Sequence, residues 1–406
     1  MGERIWTALP ALLRVGPHNE EGARVTTFEL FFDLVFVFSF TQVSRLMAEQ
    51  HSAFGVLQGI LVLGMLWQIW VSYGWLANET RADRGIVRFG FVLASVLIFV
   101  LALTIPAAFP EAGQSSALPL ILLAGYFGSR LIHALLYLKA AGQSRDLRSA
   151  VIRNSLLPIL PSATIFATGA VIGGPWQTWI WLGMFALDSF GVYLGTALSG
   201  WRVHSAGYWS ERFGLIIILG LGESIVALGV GAAQVKLSPA LIGGVALAVL
   251  VGFALWWAYF ERMQPASEHI LSQARGQERA KLAGDAYTYL HYPLLCGIII
   301  TALGIEVAIG HLGSDHPLGF YGAIALCGGI SLYLAGTGFY WRRMAHWWVW
   351  TRFISGTIML AIIPAIAAVP PFAALALATG AFVLLLAAEE AGHKWWKSRT
   401  AAATTG

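Results

Sequence analysis

The sequence predicts an all-α membrane protein of about twelve transmembrane helices. Three observations lead there. The 406-residue chain is 57% apolar and 11% charged, far from the soluble average. Its apolar residues gather into runs near the twenty or so needed to cross a bilayer. Of its 25 Lys and Arg residues, all but Arg45, Lys236, Arg130, Arg153 and Arg352 flank one side of the ladder those runs form.

In chain order the spans are expected at 27–49, 53–78, 85–109, 117–140, 147–172, 176–200, 208–233, 239–262, 284–310, 317–340, 347–368 and 371–393. Residues 1–25 precede them as a cytoplasmic segment. There Ile5, Trp6, Leu9, Leu12 and Leu13 beside Arg4 and Arg14 suggest a short interfacial helix, interrupted at Pro10. The one-sided basic residues place both termini in the cytoplasm, and an odd span count would scramble that partition. The opposite loops are short and carry mainly Glu49, Glu111, Lys236, Asp315, His311 and His316. Residues 263–283 form the longest loop, read as a cytoplasmic helical elbow holding Glu268, Arg275, Glu278, Arg279 and Lys281.

The net charge of +4 follows from topology and does not indicate nucleic-acid binding, since the bases are scattered in twos and threes. No short apolar region with a small-residue cleavage site resembles a signal peptide. There is no CxxC, HExxH, nucleotide-binding glycine loop or G-x-S-x-G, so no cofactor, metal or catalytic residue is assigned. Cys296 and Cys327 fall within spans and read as packed thiols.

The chain also reads as two six-helix halves, 26–201 and 208–394. With Glu29 placed over Glu211 and no gaps, Phe31 meets Phe213, Leu46 meets Leu228, Trp75 meets Trp257 and Glu79 meets Glu261. The fifth span of each half carries an early Arg (Arg153, Arg352) and later prolines. Six spans is an even number, so the halves would share one orientation, as in parallel-repeat transporters.

Ionisable groups at bilayer depth are costly unless paired or wetted, so each needs a reason. Glu29 and Asp33 lie four apart on one face of the first span. Arg153 enters its span from the same side. An ion pair of Asp33 or Glu29 with Arg153, or of Asp33 with Arg130, and of Glu211 with Arg352 in the second half, would lock helices together. A gate or ligand site at that level is the other reading. Glu223, behind Gly220 and Gly222, is roughly 20 Å along its span. Asp188 is central in the sixth span, and Arg130 and His133 share a face of the fourth. These four could converge as a packing network, as a proton- or substrate-linked site, or as a catalytic cluster. His291 sits among tyrosines and reads as hydrogen-bonded structure or as a ligand, and Glu306 shares its span. Most tryptophans mark span ends, whereas Trp67 and Trp70 lie further in, against a cavity, lipid or another helix.

Three strings go beyond hydrophobicity. They are Phe28-Glu29-Leu30-Phe31-Phe32-Asp33-Leu34-Val35-Phe36-Val37, Glu211-Arg212-Phe213-Gly214 leading to Leu221-Gly222-Glu223-Ser224, and Leu290-His291-Tyr292-Pro293 ending in Gly304-Ile305-Glu306. Over roughly 20–393 the chain resembles the bacterial low-temperature-requirement A (LtrA-like) family. The resemblance implies a multi-pass bacterial inner-membrane protein, linked by name to growth in the cold. It brings no reaction, substrate or catalytic residue.

The expected function is secondary transport of a small solute, with a proton as a candidate coupling ion. The mid-depth acids and the six-plus-six layout carry that reading. Two alternatives stay open. One is a membrane-embedded enzyme acting on a lipid or isoprenoid-like substrate, the other a non-catalytic membrane factor for growth at low temperature. The lone Glu-x-x-His, Glu390 with His393, is read as a solvated helix end. The expected partners are the lipid bilayer and the solute or proton.

Overall fold

Local chemistry starts the first helices. Thr26 caps α1 (Thr27–Gln50): its hydroxyl accepts from the Glu29 N–H while the Glu29 carboxylate reaches back to the Thr26 N–H. α1 stops where His51 enters the left-handed region at φ 43°. Ser52 then caps α2 (Ala53–Glu79) by accepting from Gly55. The structure is a computed structural model describing residues 22–111, 116–197 and 201–404. The interfacial helix expected within the first 20 or so residues, and the side chain of His393, lie outside the described residues.

The chain continues as α3 (Gly85–Ala107), α4 (Leu118–Ala140), α5 (Arg145–Ile172), α6 (Gly174–Ala197), α7 (Ala206–Ala232) and α8 (Pro239–Gln273). It ends with α9 (Gly276–Gly310), α10 (Gly319–Ala345), α11 (Trp350–Ala367) and α12 (Pro371–Gly392). Among the described residues all secondary structure is helical. Eleven of these helices are long and apolar enough to cross a membrane. The exception is α6, whose 24 residues are sufficient in length but include Gln177, Thr178, Asp188 and Ser189. The loop expected at 263–283 is helical on both sides of a bend at Arg275–Gly276.

Three helices widen locally, α10 at Ile324–Gly328 and two others beside prolines. In α5 residues Ile152–Leu156 form a π turn, closed by the Leu157 N–H on the Ile152 carbonyl at 2.9 Å. Pro158 and Pro161 follow immediately, and each removes an N–H from the regular ladder. In α9 the segment Ala283–Tyr289 is likewise π-helical and precedes Pro293. Such bulges re-aim side chains and recur at functional sites.

The described residues divide into two compact units, the first drawn from Met1–Leu219 and Ser267–Tyr292, the second from Gly220–Ala266 and Pro293–Gly406. In the first unit α2 is central, packing against α1, α4 and α6. Its aromatic core includes Phe32, Tyr73 and Phe91, with ring centroids 4.8 to 5.1 Å apart. Outside this core, α3 leaves Phe89, Leu93, Val96, Val100 and Leu103 exposed along one side. Such a stripe suits lipid and not water.

In the second unit small residues bring α9 and α10 into backbone contact. A Cβ at Gly304 would sit 2.3 Å from the Leu326 nitrogen, and one at Gly297 2.6 Å from that of Tyr333. This is how helices associate where no hydrophobic gain over lipid exists. The Tyr333 hydroxyl donates to the Leu255 carbonyl at 2.8 Å, tying α10 to α8. Cys296 and Cys327 are buried and form no disulfide, as expected of packed thiols.

Candidate functional site

Three of the four residues expected at mid-depth meet in the first unit. Arg130 on α4 donates from Nη1 to Asp188 Oδ2 at 2.6 Å and from Nη2 to Oδ1 at 3.3 Å. The same Nη1 donates to the Tyr126 hydroxyl one turn back, at 3.2 Å. Gln68 of α2 completes the network, its amide donating to Asp188 Oδ2 at 3.2 Å while its carbonyl accepts from Tyr126. Arg130 and Asp188 are both over nine-tenths buried, so the pair is held by charge-assisted bonds in a low dielectric.

Beside this network lies a cavity of about 220 Å³, reached by α2, α4, α5, α6 and the α9 π segment. Arg130, His133, Gln68, Asn154 and Ser189 give it polar wall, and Trp67, Trp75, Trp201, Phe185 and Tyr292 give it rings. Both π-helical segments in this unit deliver residues to it: Asn154 and Ser155 from α5, and Gly284, Thr288 and Tyr289 from α9. His133 interacts with the Ser72 backbone, and its Nε2 is buried without a partner. The Arg130 Nε–H and its remaining Nη2–H also engage no partner among the described residues. That leaves one full edge of the guanidinium uncommitted.

Glu223, the fourth residue, is buried on the part of α7 that belongs to the second unit. Gly220 abuts Leu295, while Gly222 has open space where a side chain would stand.

The shallower acids are paired as the cost of buried charge demands, but with other partners than expected. Asp33 is bound by Arg212, whose Nη1 and Nη2 donate to Oδ2 and Oδ1 at 2.8 and 2.9 Å, and by the Trp70 indole at 2.9 Å. The Tyr208 hydroxyl donates to Glu29 at 2.5 Å. The i,i+4 pair Glu29/Asp33 on α1 thus meets the i,i+4 pair Tyr208/Arg212 on α7 turn for turn. Arg153 and Arg130 are therefore not the partners of Asp33. Arg153 lies in the α5 π turn, exposed, with Nε on the Asn154 side chain at 3.3 Å. Glu211, expected against Arg352, accepts from the Val25 N–H at 3.2 Å. Arg352 instead reaches Glu389 of α12, a helix packed against its own, at 2.9 Å.

Sequence reasoning missed Arg212, Tyr208, Gln68 and Tyr126. Its position beside a loop groups Arg212 with the flanking bases, yet its side chain is fully buried. Its four-residue spacing from Tyr208, matching Glu29 to Asp33, was the available signal. Of the interior tryptophans, Trp67 lines the cavity and Trp70 joins the Asp33 cluster. His291 is held within structure, with Nδ1 at 3.1 Å from the Ala286 carbonyl and its ring stacked on Tyr287.

Long apolar helices, lipid-facing stripes and buried ion pairs together define a multi-pass helical membrane protein. Within that class the chain belongs to the family described as bacterial low temperature requirement A protein (LtrA), which it matches over residues 24–388. It is 26% identical over 390 residues to a protein of Rhizobium meliloti (strain 1021) described as uncharacterized, covering 92% of this chain and 90% of that one. No solved structure matches it.

Proposed function

We propose that this LtrA-family protein is a secondary transporter of a small solute in the bacterial inner membrane, and that the cavity of the first unit is its binding site. One observation carries the reading: the cavity wall holds a nine-tenths-buried guanidinium with one hydrogen-bonding edge uncommitted. Buried donors are normally satisfied, and an unsatisfied one beside a cavity invites a ligand acceptor. The two π-helical segments bordering the same space support the reading, since they mark helices adapted locally at the expense of regular bonding.

In this proposal α6 is a twelfth span, both termini are cytoplasmic, and the halves 26–201 and 208–394 are parallel repeats. Gly220 and Gly222 let α7 bend as access alternates. Asp188 and Glu223 are the carboxylates able to carry a coupled proton. The test is counterflow in proteoliposomes across a solute panel, with internal pH followed by a trapped dye. Saturable flux lost in Arg130→Gln and retained in Arg275→Gln supports the proposal. If no solute in a broad panel moves, and Arg130→Gln still complements growth in the cold, a non-transporting membrane factor takes its place.

A further inference from the structure

Resting on that reading of the cavity, we infer that its ligand is a small zwitterion carrying a carboxylate and a cationic nitrogen. The carboxylate end follows from Arg130. Asp188 occupies the edge formed by Nη1 and Nη2, so the Nε/Nη2 edge stays open for a second planar acceptor. That edge matches a carboxylate in a two-bond arrangement, and binding there leaves the existing ion pair intact. His133 is a further polar side chain in the same wall.

Charge balance supplies the other end. Arg130 and Asp188 cancel, so a ligand bearing only a carboxylate would leave a net negative charge enclosed, which costs several kcal/mol. A cation within the ligand removes that cost. The wall offers it a place. Trp67 donates its indole N–H to the Thr288 carbonyl at 2.9 Å, and Trp75 donates its own to the Thr288 hydroxyl at 3.3 Å. With both donors spent on one residue of the α9 π segment, these indoles present ring surface alone. Tyr292, whose hydroxyl is spent on the Ile60 carbonyl at 2.6 Å, adds another such ring. Faces of this kind attract ammonium groups and have nothing to offer a second anion. At about 220 Å³ the cavity is smaller than the roughly 300–1,000 Å³ of drug-sized pockets, which suits a compact metabolite.

A matched set of probes isolates each charge: trimethylglycine and 4-aminobutanoate as zwitterions, choline as the cation, and 3,3-dimethylbutanoate as the anion isosteric with trimethylglycine. Binding is measured by calorimetry on the full chain in nanodiscs. A zwitterion should bind at least about tenfold more tightly than choline or 3,3-dimethylbutanoate, one charge contact being worth a factor of that order. Arg130→Gln should remove the preference over choline. Trp67→Leu and Trp75→Leu leave the ion pair in place, so they report on the cationic end even where Arg130→Gln folds poorly. Weakening of a zwitterion by about fivefold or more in either Trp variant is expected, and no change in both overturns the assignment. If 3,3-dimethylbutanoate binds as well as trimethylglycine, and tighter as pH falls, the ligand is an anion accompanied by a proton and the zwitterion is excluded. Failure of both zwitterions while another solute shows counterflow sinks this inference and leaves transport standing. Zwitterion binding without counterflow has the opposite outcome: the ligand class holds and transport falls.

Discussion

Arg212 and Arg130 make the same primary contact and differ in what surrounds it. Each guanidinium sits end-on against an aspartate; the Arg212 Nε is buried without a partner, and the Arg130 Nε makes no hydrogen bond among the described residues. Around Arg212 that nitrogen is sealed: the guanidinium lies 5.0 Å from the Trp70 ring, and the whole side chain is inaccessible. Arg130, by contrast, stands in the wall of a cavity. Chemistry alone therefore does not separate a structural ion pair from a binding group. Free volume beside it does.

The largest expected effect tests the sealed pair. Arg212→Ala strands Asp33 and Glu29 without a counter-charge and should lower stability by about 3–5 kcal/mol, read as a fall in melting temperature and monodisperse yield in detergent. Asp33→Asn combined with Arg212→Met should recover part of that loss, because the one buried carboxylate left in that cluster, Glu29, keeps its Tyr208 hydroxyl donor. Arg130→Gln should cost less stability, since water entering the cavity can hydrate Asp188, while removing ligand binding. Equal melting temperatures for Arg212→Ala and Arg130→Gln would break the comparison.

A smaller effect sharpens it. A Cβ at Gly74 would lie 3.9 Å from the Arg212 Nε, with nothing else within 4 Å. Gly74→Ser can place a hydroxyl oxygen to accept from that orphan donor and should stabilise by about 1 kcal/mol. An unchanged or lower melting temperature would mean the cluster has no room even for an oxygen.

The smallest effect is the reference outside the helices. Arg81 bonds Asp83 at 2.8 and 3.0 Å in the connection between α2 and α3. That hydrogen bond, the largest of several influences, holds the Asp83 carboxyl below the ordinary carboxylate range. With the folded value depressed, the stabilisation is full above the unfolded carboxylate pKa near 4 and is lost as pH falls through the folded value. For a pair only partly buried in a connecting segment, Asp83→Asn should change stability by less than about 1 kcal/mol. Melting curves of the two proteins should converge below about pH 4; a constant gap would place the effect elsewhere.

Which charges mattered could be read from the sequence, because an acid or base in an apolar run is improbable without a role. Asp33, Glu29, Arg130, Asp188 and Glu223 were all marked on that ground, and all are buried. Their partners could not be read. Matching Asp33 to Arg153 by depth treats helices as interchangeable rods, but a salt bridge also needs adjacent helices and facing sides. Arg212 shows the complementary error: proximity to a loop suggested a cytoplasmic base, and packing of α7 against α1 enclosed it.

By itself the sequence determined the helical class, the approximate helix limits and the family, because twenty-residue apolar runs, caps and prolines act locally and need no neighbours. Tertiary structure alone decided which guanidinium is sealed and which faces a cavity. It also decided that two proline-adjacent π segments border that cavity. Free volume is a property of several helices at once, set by their rotation and spacing, and no single stretch of sequence encodes it.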